Sequence, residues 1–129
     1  MEYLYKIRYA ETDQMGVVHH ANYLLYLEQA RIEWLEKKGV KYSNLEQDGI
    51  MLPVYKIEID YKKPLVFGGS VKVQVECSKT PDVKIGFDYK LLNDADEIVA
   101  TAKVILVFIS AQTRRPIRCP KYLFEILTT

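Results

Sequence analysis

The chain has 129 residues, of which 49 % are apolar and 27 % charged, with a formal net charge of +1. That balance excludes a disordered chain, and near-neutrality excludes a general nucleic-acid binder, which carries a strongly basic surface. The length fits one domain, residues 1–129, with a core of its own.

Tyr3, Tyr5, Ile7 and Tyr9 alternate with Leu4, Lys6 and Arg8, a period of two that predicts a first strand. Ala10 to His20 is turn-rich, with Thr12, Asp13 and Gly16. From Tyr23 the pattern becomes helical: Tyr23, Leu27, Ala30 and Trp34 recur at three- and four-residue steps. Asn22 is the expected N-cap of this long helix, and Gly39 its expected C′ residue. A short helix is expected from Ser43 to near Gly49.

The remainder reads as strand. Tyr55, Ile57, Ile59 and Tyr61 alternate with charged residues, as do Val71, Val73, Val75 and Cys77 with polar ones. Ile85, Phe87, Tyr89 and Leu91 continue the pattern, and the turn cluster Asn93 to Asp96 predicts a hairpin of 85–92 with 97–109. Ile98 to Ile109 is apolar on both faces at its C-terminal end, so a central strand or one covered by another subunit is expected. Pro116 and Pro120 break the chain, and Tyr122 to Leu127 closes as a short helix or strand. One long helix against a five-stranded antiparallel sheet is an α+β fold. The apolar run Val104 to Ile109 predicts an oligomer.

Cys77 and Cys119 lack the C-x-x-C spacing of a zinc or redox site and read as reduced thiols. Met1 to Ala10 alternates instead of forming the apolar run of a signal peptide. Together these predict a reducing, cytoplasmic setting. No stretch of about 18 apolar residues exists, so no transmembrane helix is expected.

The informative stretch runs from Tyr9 to Tyr23. A carboxylate (Asp13), a glycine turn (Gly16) and an imidazole (His20) converge where a strand ends and a helix begins. Backbone N–H groups at a helix start have no intrahelical partner and attract negative charge, so they can hold a developing oxyanion. A carboxylate close by can attack a carbonyl or activate a water. Each residue also has a plainer role. Asp13 can bond local N–H groups in a turn, and Gly16 can serve a positive-φ position. His19 and His20, as neighbours, cannot both point into one site from a helix face. Tyr9 and Tyr23 can be packing residues, and Glu28 a buried base or a solvated glutamate near Arg31. Asp13 with one histidine leaves a metal without a third ligand, so no metal is expected.

The pattern Tyr9-x-x-Thr12-Asp13-x-x-Gly16-Val17-Val18-x-His20-Ala21-Asn22-Tyr23 is followed by Glu28, Ala30 and Arg31, and later by Asp60-Tyr61 with Pro64. It resembles the hotdog-fold acyl-CoA thioesterases, in the branch of 4-hydroxybenzoyl-CoA thioesterase and YbgC-like members. The resemblance implies a curved antiparallel sheet wrapped around one long helix. It also implies dimers with a continuous sheet, paired into tetramers, with active sites at the dimer interface. Asp13 then matches the catalytic nucleophile or general base. His20 matches the histidine of YbgC-like members, with the nearby backbone N–H polarising the thioester carbonyl. Tyr9 matches an aromatic beside the aspartate. Gly16 and Val17 match the loop at the thioester end of the site, and Tyr23 is placed with them as substrate-binding. The benzoyl branch has an aromatic where His20 stands, so the histidine leans towards YbgC-like members. Gly68-Gly69 stands where relatives often carry acidic residues.

Thioester chemistry suits this set, because a thiolate leaves with little help from an acid and oxyanion stabilisation with a placed carboxylate suffices. No cofactor is expected. Coenzyme A phosphates call for cations, with Lys62, Lys63, Arg114 and Arg115 as candidates. Tyr55, Tyr61 and Phe67 are candidates for an acyl cleft. The competing readings are a hotdog hydratase or dehydratase on an acyl thioester and a non-catalytic acyl-CoA or protein-binding module. A variant of the thioesterase reading takes Glu28 as the base.

Overall fold

The computed structural model describes all 129 residues. Strand β1 (Glu2–Lys6) leads through two 3-10 turns, Tyr9–Glu11 and His20–Asn22, into helix α1 (Tyr23–Lys37). Helix α2 (Tyr42–Gln47) and the two-residue strand β2 (Ile50–Met51) follow. Then come β3 (Val54–Tyr61), β4 (Ser70–Lys79), β5 (Lys84–Leu92) and β6 (Ile98–Val107). The chain ends with β7 (Ile109–Ser110) and α3 (Lys121–Leu127).

Five strands form one antiparallel sheet in the order β1-β4-β5-β6-β3, and β2 pairs with β7 as a separate ribbon. This is the α+β hotdog architecture expected from the sequence. The alternation of side chains builds columns across the sheet. Val75 faces Tyr89 and Tyr89 faces Ala102; Phe87 faces Val104 and Ile85 faces Leu106. All of these are buried. The helix covers them with a stripe at helical spacing, Tyr23, Tyr26, Leu27, Ala30, Trp34 and Leu35. Trp34 meets Phe87 edge to face at 5.1 Å. Burying a side chain of this kind contributes about 1.5–3 kcal/mol, so the stripe and columns dominate the stability.

Three expectations are corrected in detail. The first strand does not reach Tyr9: the Ile7 N–H turns to the Gly69 carbonyl at 3.1 Å, and the chain coils at Tyr9–Glu11. The apolar segment Ile98 to Ile109 is interrupted at Phe108, where β6 ends and the chain enters the β2–β7 ribbon; β6 itself lies inside the sheet, between β5 and β3. Asn22 does not cap α1 with its side chain, because a 3-10 turn precedes the helix and Asn22 already sits in it.

Gly68-Gly69 forms the turn into β4. Gly68 has φ +94°, a conformation that L side chains rarely adopt, and a Cβ on Gly69 would lie 2.8 Å from an Asp94 carboxylate oxygen. Both cysteines are free thiols. Strand β3 closes one edge of the sheet, with Tyr55, Ile57 and Tyr61 exposed along it.

Candidate active site

Thr12 and Val18 face each other as an antiparallel bridge, and the loop between them is a tight hairpin. The Asp13 N–H donates to the Val17 carbonyl at 2.8 Å, and the Gly16 N–H donates to the Asp13 carbonyl at 3.1 Å. Gly16 stands at φ +76°, which explains a glycine at the tip. The Asp13 carboxylate is part of the same turn: Oδ1 accepts N–H bonds from Met15 at 2.8 Å and Val17 at 3.2 Å. Oδ2 accepts no hydrogen bond from the chain, and the residue is exposed. One oxygen of Asp13 therefore shapes the turn, and the other has no partner in the chain.

The loop is fastened to the segment between β3 and β4. The Val18 N–H donates to the Leu65 carbonyl at 2.8 Å, the Phe67 N–H to the Gly16 carbonyl at 2.9 Å, and Val17 bridges Val66. Gly16, Val17 and Phe67 thus share one rim with Asp13. Tyr9 is 73 % exposed and rests edge to face on Phe67 at 5.5 Å. No hydrogen bond joins it to Asp13, so it is an aromatic wall of the rim.

His19 starts the second 3-10 turn. Its Nδ1 accepts the Ala21 N–H at 3.2 Å, and its own N–H donates to the Glu11 carbonyl at 3.0 Å. The His20 N–H is the first of that turn and has no intrahelical acceptor. His19 has extended backbone, not helical, so the two histidines do not lie on one helix face, and their rings stack 4.3 Å apart. The His20 ring meets the edge of Tyr61 at 6.3 Å, and the Tyr61 hydroxyl donates to the His20 carbonyl at 3.0 Å. Tyr61 comes from the edge strand β3, so β3 reaches into the site.

Tyr23 is only 3 % exposed, with its ring against Tyr61 at 4.9 Å. It forms a floor beneath Tyr61, and burial raises its hydroxyl pKa. The four cations separate. Lys62 and Lys63 follow the end of β3, both donating main-chain N–H bonds to the Val99 carbonyl, and Lys63 forms an ion pair with Glu97. Arg114 lies beyond the start of β3, with Nη1 3.9 Å from Met51 Sδ, and Arg115 follows it. Strand β3 has eight residues, roughly 26 Å at the ordinary rise, so one chain does not gather the four into one site. Tyr55 lies near that same distant end, over the Lys84 ammonium at 4.0 Å. Glu28 is exposed on α1 and Arg31 is buried, so the two do not pair. No group of three His, Cys, Asp or Glu side chains is placed to hold a metal ion.

Sequence reasoning missed Glu11. The residue is 6 % exposed, and its carboxylate accepts from the Arg8 N–H at 2.9 Å, Arg8 Nε at 2.9 Å and the Tyr26 hydroxyl at 2.8 Å. Burial pushes its pKa up, but the bonds from Arg8 and Tyr26 outweigh that and hold it below its ordinary value. The available signal was its place two residues before Asp13, with Tyr26 on the inward face of the helix.

Residues 7–127 match the family model described as the thioesterase-like superfamily. The chain is 36 % identical over 116 residues to a Bacillus subtilis protein named as an acyl-CoA thioesterase, YneP, covering 90 % of this chain and 84 % of that one. It is 25 % identical over 116 residues to the acyl-CoA thioester hydrolase YbgC of Escherichia coli, covering 90 % of this chain and 87 % of that one. The solved structure of a DHNA-CoA thioesterase from Staphylococcus aureus superimposes with a TM-score of 0.90 at 33 % identity, covering 96 % of this chain and 83 % of that one.

Proposed function

Because the chain belongs to the thioesterase-like superfamily and is a thioester hydrolase, we propose that it cleaves an acyl-CoA at the Asp13 loop. The products are a free acid and coenzyme A. The observation that carries this reading is the Asp13 carboxylate, with one oxygen fixed by two N–H groups and the other free, on the same loop that leads into the open N–H of the His20 turn. The thioester carbonyl oxygen accepts from that N–H, and charge building on it is stabilised there. Asp13 Oδ2 either takes a proton from a water that adds to the carbonyl carbon or adds to that carbon itself. The C–S bond then breaks and the coenzyme A thiolate leaves, taking up the proton released from water; on the second route the acyl group is left as a mixed anhydride on Asp13, which a water hydrolyses to the free acid, regenerating the carboxylate. Tyr9, Val17 and Phe67 form an apolar and aromatic rim suited to the acyl group.

The same reading makes the working unit a dimer through β3, paired further into a tetramer. An edge strand with exposed Tyr55 and Ile57 offers unpaired backbone groups and apolar surface to a second copy. Antiparallel pairing of two β3 edges carries the Arg114–Arg115 end of one copy to the Lys62–Lys63 end of the other. Cations that one chain keeps apart then flank one cleft, where coenzyme A phosphates accept their hydrogen bonds. The free thiols support a reducing, cytoplasmic setting.

The test is thiol release from a panel of short, medium, long and aromatic acyl-CoAs, comparing wild type with Asp13→Asn. Turnover that falls by roughly 10³-fold or more in the variant supports the reading. Turnover that survives in Asp13→Asn means that another group does the chemistry. Absent turnover, together with hydration of an enoyl thioester, supports a hydratase.

A further inference from the structure

We propose that Glu11 is a positioning residue for thioester hydrolysis, joining the two halves of the Asp13–His20 site and fixing their separation. The proposal rests on Asp13 and the His20 turn forming that site. Glu11 is two residues before Asp13, and it binds the chain on the other side of the loop through both its main chain and its side chain. Its carbonyl oxygen accepts the His19 N–H at 3.0 Å and Asn22 Nδ2 at 2.8 Å, holding the turn that presents the His20 N–H. Its carboxylate accepts the Tyr26 hydroxyl at 2.8 Å, one turn into α1. Arg8, on the approach from β1, gives two further bonds to the same carboxylate. One residue therefore collects five donors from the strand exit, the 3-10 turn and the helix.

Packing alone does not explain this arrangement. A carboxylate out of water is costly unless its oxygens are satisfied, and a satisfied polar network specifies a single geometry more sharply than an apolar contact does. The loop's other anchors, Val18 to Leu65 and Gly16 to Phe67, tie it first to the segment before β4, whereas Glu11 ties it directly to the His20 turn and to α1. Glu11 is buried and Asp13 is exposed, so Glu11 acts through the loop and touches no substrate. A displacement of about 1 Å between reacting groups can cost 10²-fold in rate, which is the sensitivity that such an anchor protects.

The experiment measures kcat and KM for Glu11→Ala, Glu11→Gln, Tyr26→Phe and Asp13→Asn below their melting temperatures, with each folded fraction taken from circular dichroism. Glu11→Ala is expected to lower kcat by roughly 10- to 100-fold with KM within about twofold. Glu11→Gln, which keeps acceptors for the Tyr26 hydroxyl and the Arg8 N–H, is expected to restore most of kcat. Tyr26→Phe, which removes one bond and keeps the ring, is expected to fall between them and stands in if Glu11→Ala does not fold. Unchanged kcat in the folded variants, alongside an inactive Asp13→Asn, overturns the positioning role and leaves the site intact. A loss that Glu11→Gln fails to reverse, or one that follows only the folded fraction, overturns it as well. Full activity in Asp13→Asn overturns the site reading on which the proposal rests.

Discussion

Arg31 is a buried cation with no ion pair. At 5 % exposure its Nη1 lies 3.4 Å from the Tyr89 hydroxyl, the Tyr42 hydroxyl is its other polar neighbour, and its Nε has no partner. Burial pushes the Tyr89 hydroxyl up to about 12 against the pull of Arg31, so near neutral pH the partner is an uncharged phenol. A charge buried on such terms costs stability, and a well-packed apolar residue of similar volume often improves on it. Arg31→Met is expected to leave the urea midpoint unchanged or raise it, by up to about 2 kcal/mol in unfolding free energy. A clear fall in the midpoint would mean that the guanidinium is better satisfied than its contacts indicate. Glu11 makes the opposite case, because its charge is fully bonded. A carboxylate whose folded-state pKa is depressed adds stability above its unfolded value, near pH 4.3 on the ordinary scale, and loses it as pH falls through the folded value. Glu11→Gln is therefore expected to flatten the loss of melting temperature below about pH 4.3. Neither behaviour could be read from the sequence: Arg31 and Glu28 look like a surface pair three residues apart, and Glu11 looks like one more charge in a loop.

The element on which the proposed site turns is the short 3-10 turn His20–Asn22, and its cap is His19. The sequence rule that favours asparagine as an N-cap pointed to Asn22. In the structure Asn22 has helical backbone, and its side chain is spent on the Glu11 carbonyl instead. The cap therefore moves three residues upstream, to the His19 ring accepting from the Ala21 N–H. Removing a cap costs about 1 kcal/mol, and this one orders the turn that carries the His20 N–H. His19→Ala is expected to lower kcat several-fold with a small fall in melting temperature. His19→Asn, which replaces the ring nitrogen with a carbonyl oxygen acceptor, is expected to recover both. Equal activity in the two variants and wild type would free the turn from its cap. The long helix, by contrast, was legible residue by residue, because its buried stripe repeats at the helical period and needs no distant partner to be seen.

At the scale of the whole molecule, β3 is unfinished in one chain. It pairs with β6 on one side only, and Tyr55 and Ile57 on it are 59 % and 38 % exposed. Light scattering at micromolar concentration is expected to show two or more chains per particle. Tyr55→Lys with Ile57→Lys is expected to shift that towards one chain and to lower turnover in step. A monomer with full turnover would remove the second copy from the proposed site.

Local periodicity in the sequence by itself determined the α+β architecture: the alternating strands, the long helix over the sheet, the hairpin at Asn93 to Asp96 and the glycine turn after Asp13. Those features depend on neighbours a few residues away, so the pattern carries them. Only the tertiary structure decided which charges are buried and how far apart the cations stand. Glu11 is defined by Tyr26, Arg31 by Tyr89 and Tyr61 by His20, pairs that lie 15, 58 and 41 residues apart in the chain. Strand β3 sets Lys62–Lys63 and Arg114–Arg115 at opposite ends of the sheet, because antiparallel pairing with β6 fixes the far end of each segment. Contacts of that kind come from the register of strands and the seating of the helix on them, and no local rule reaches that far.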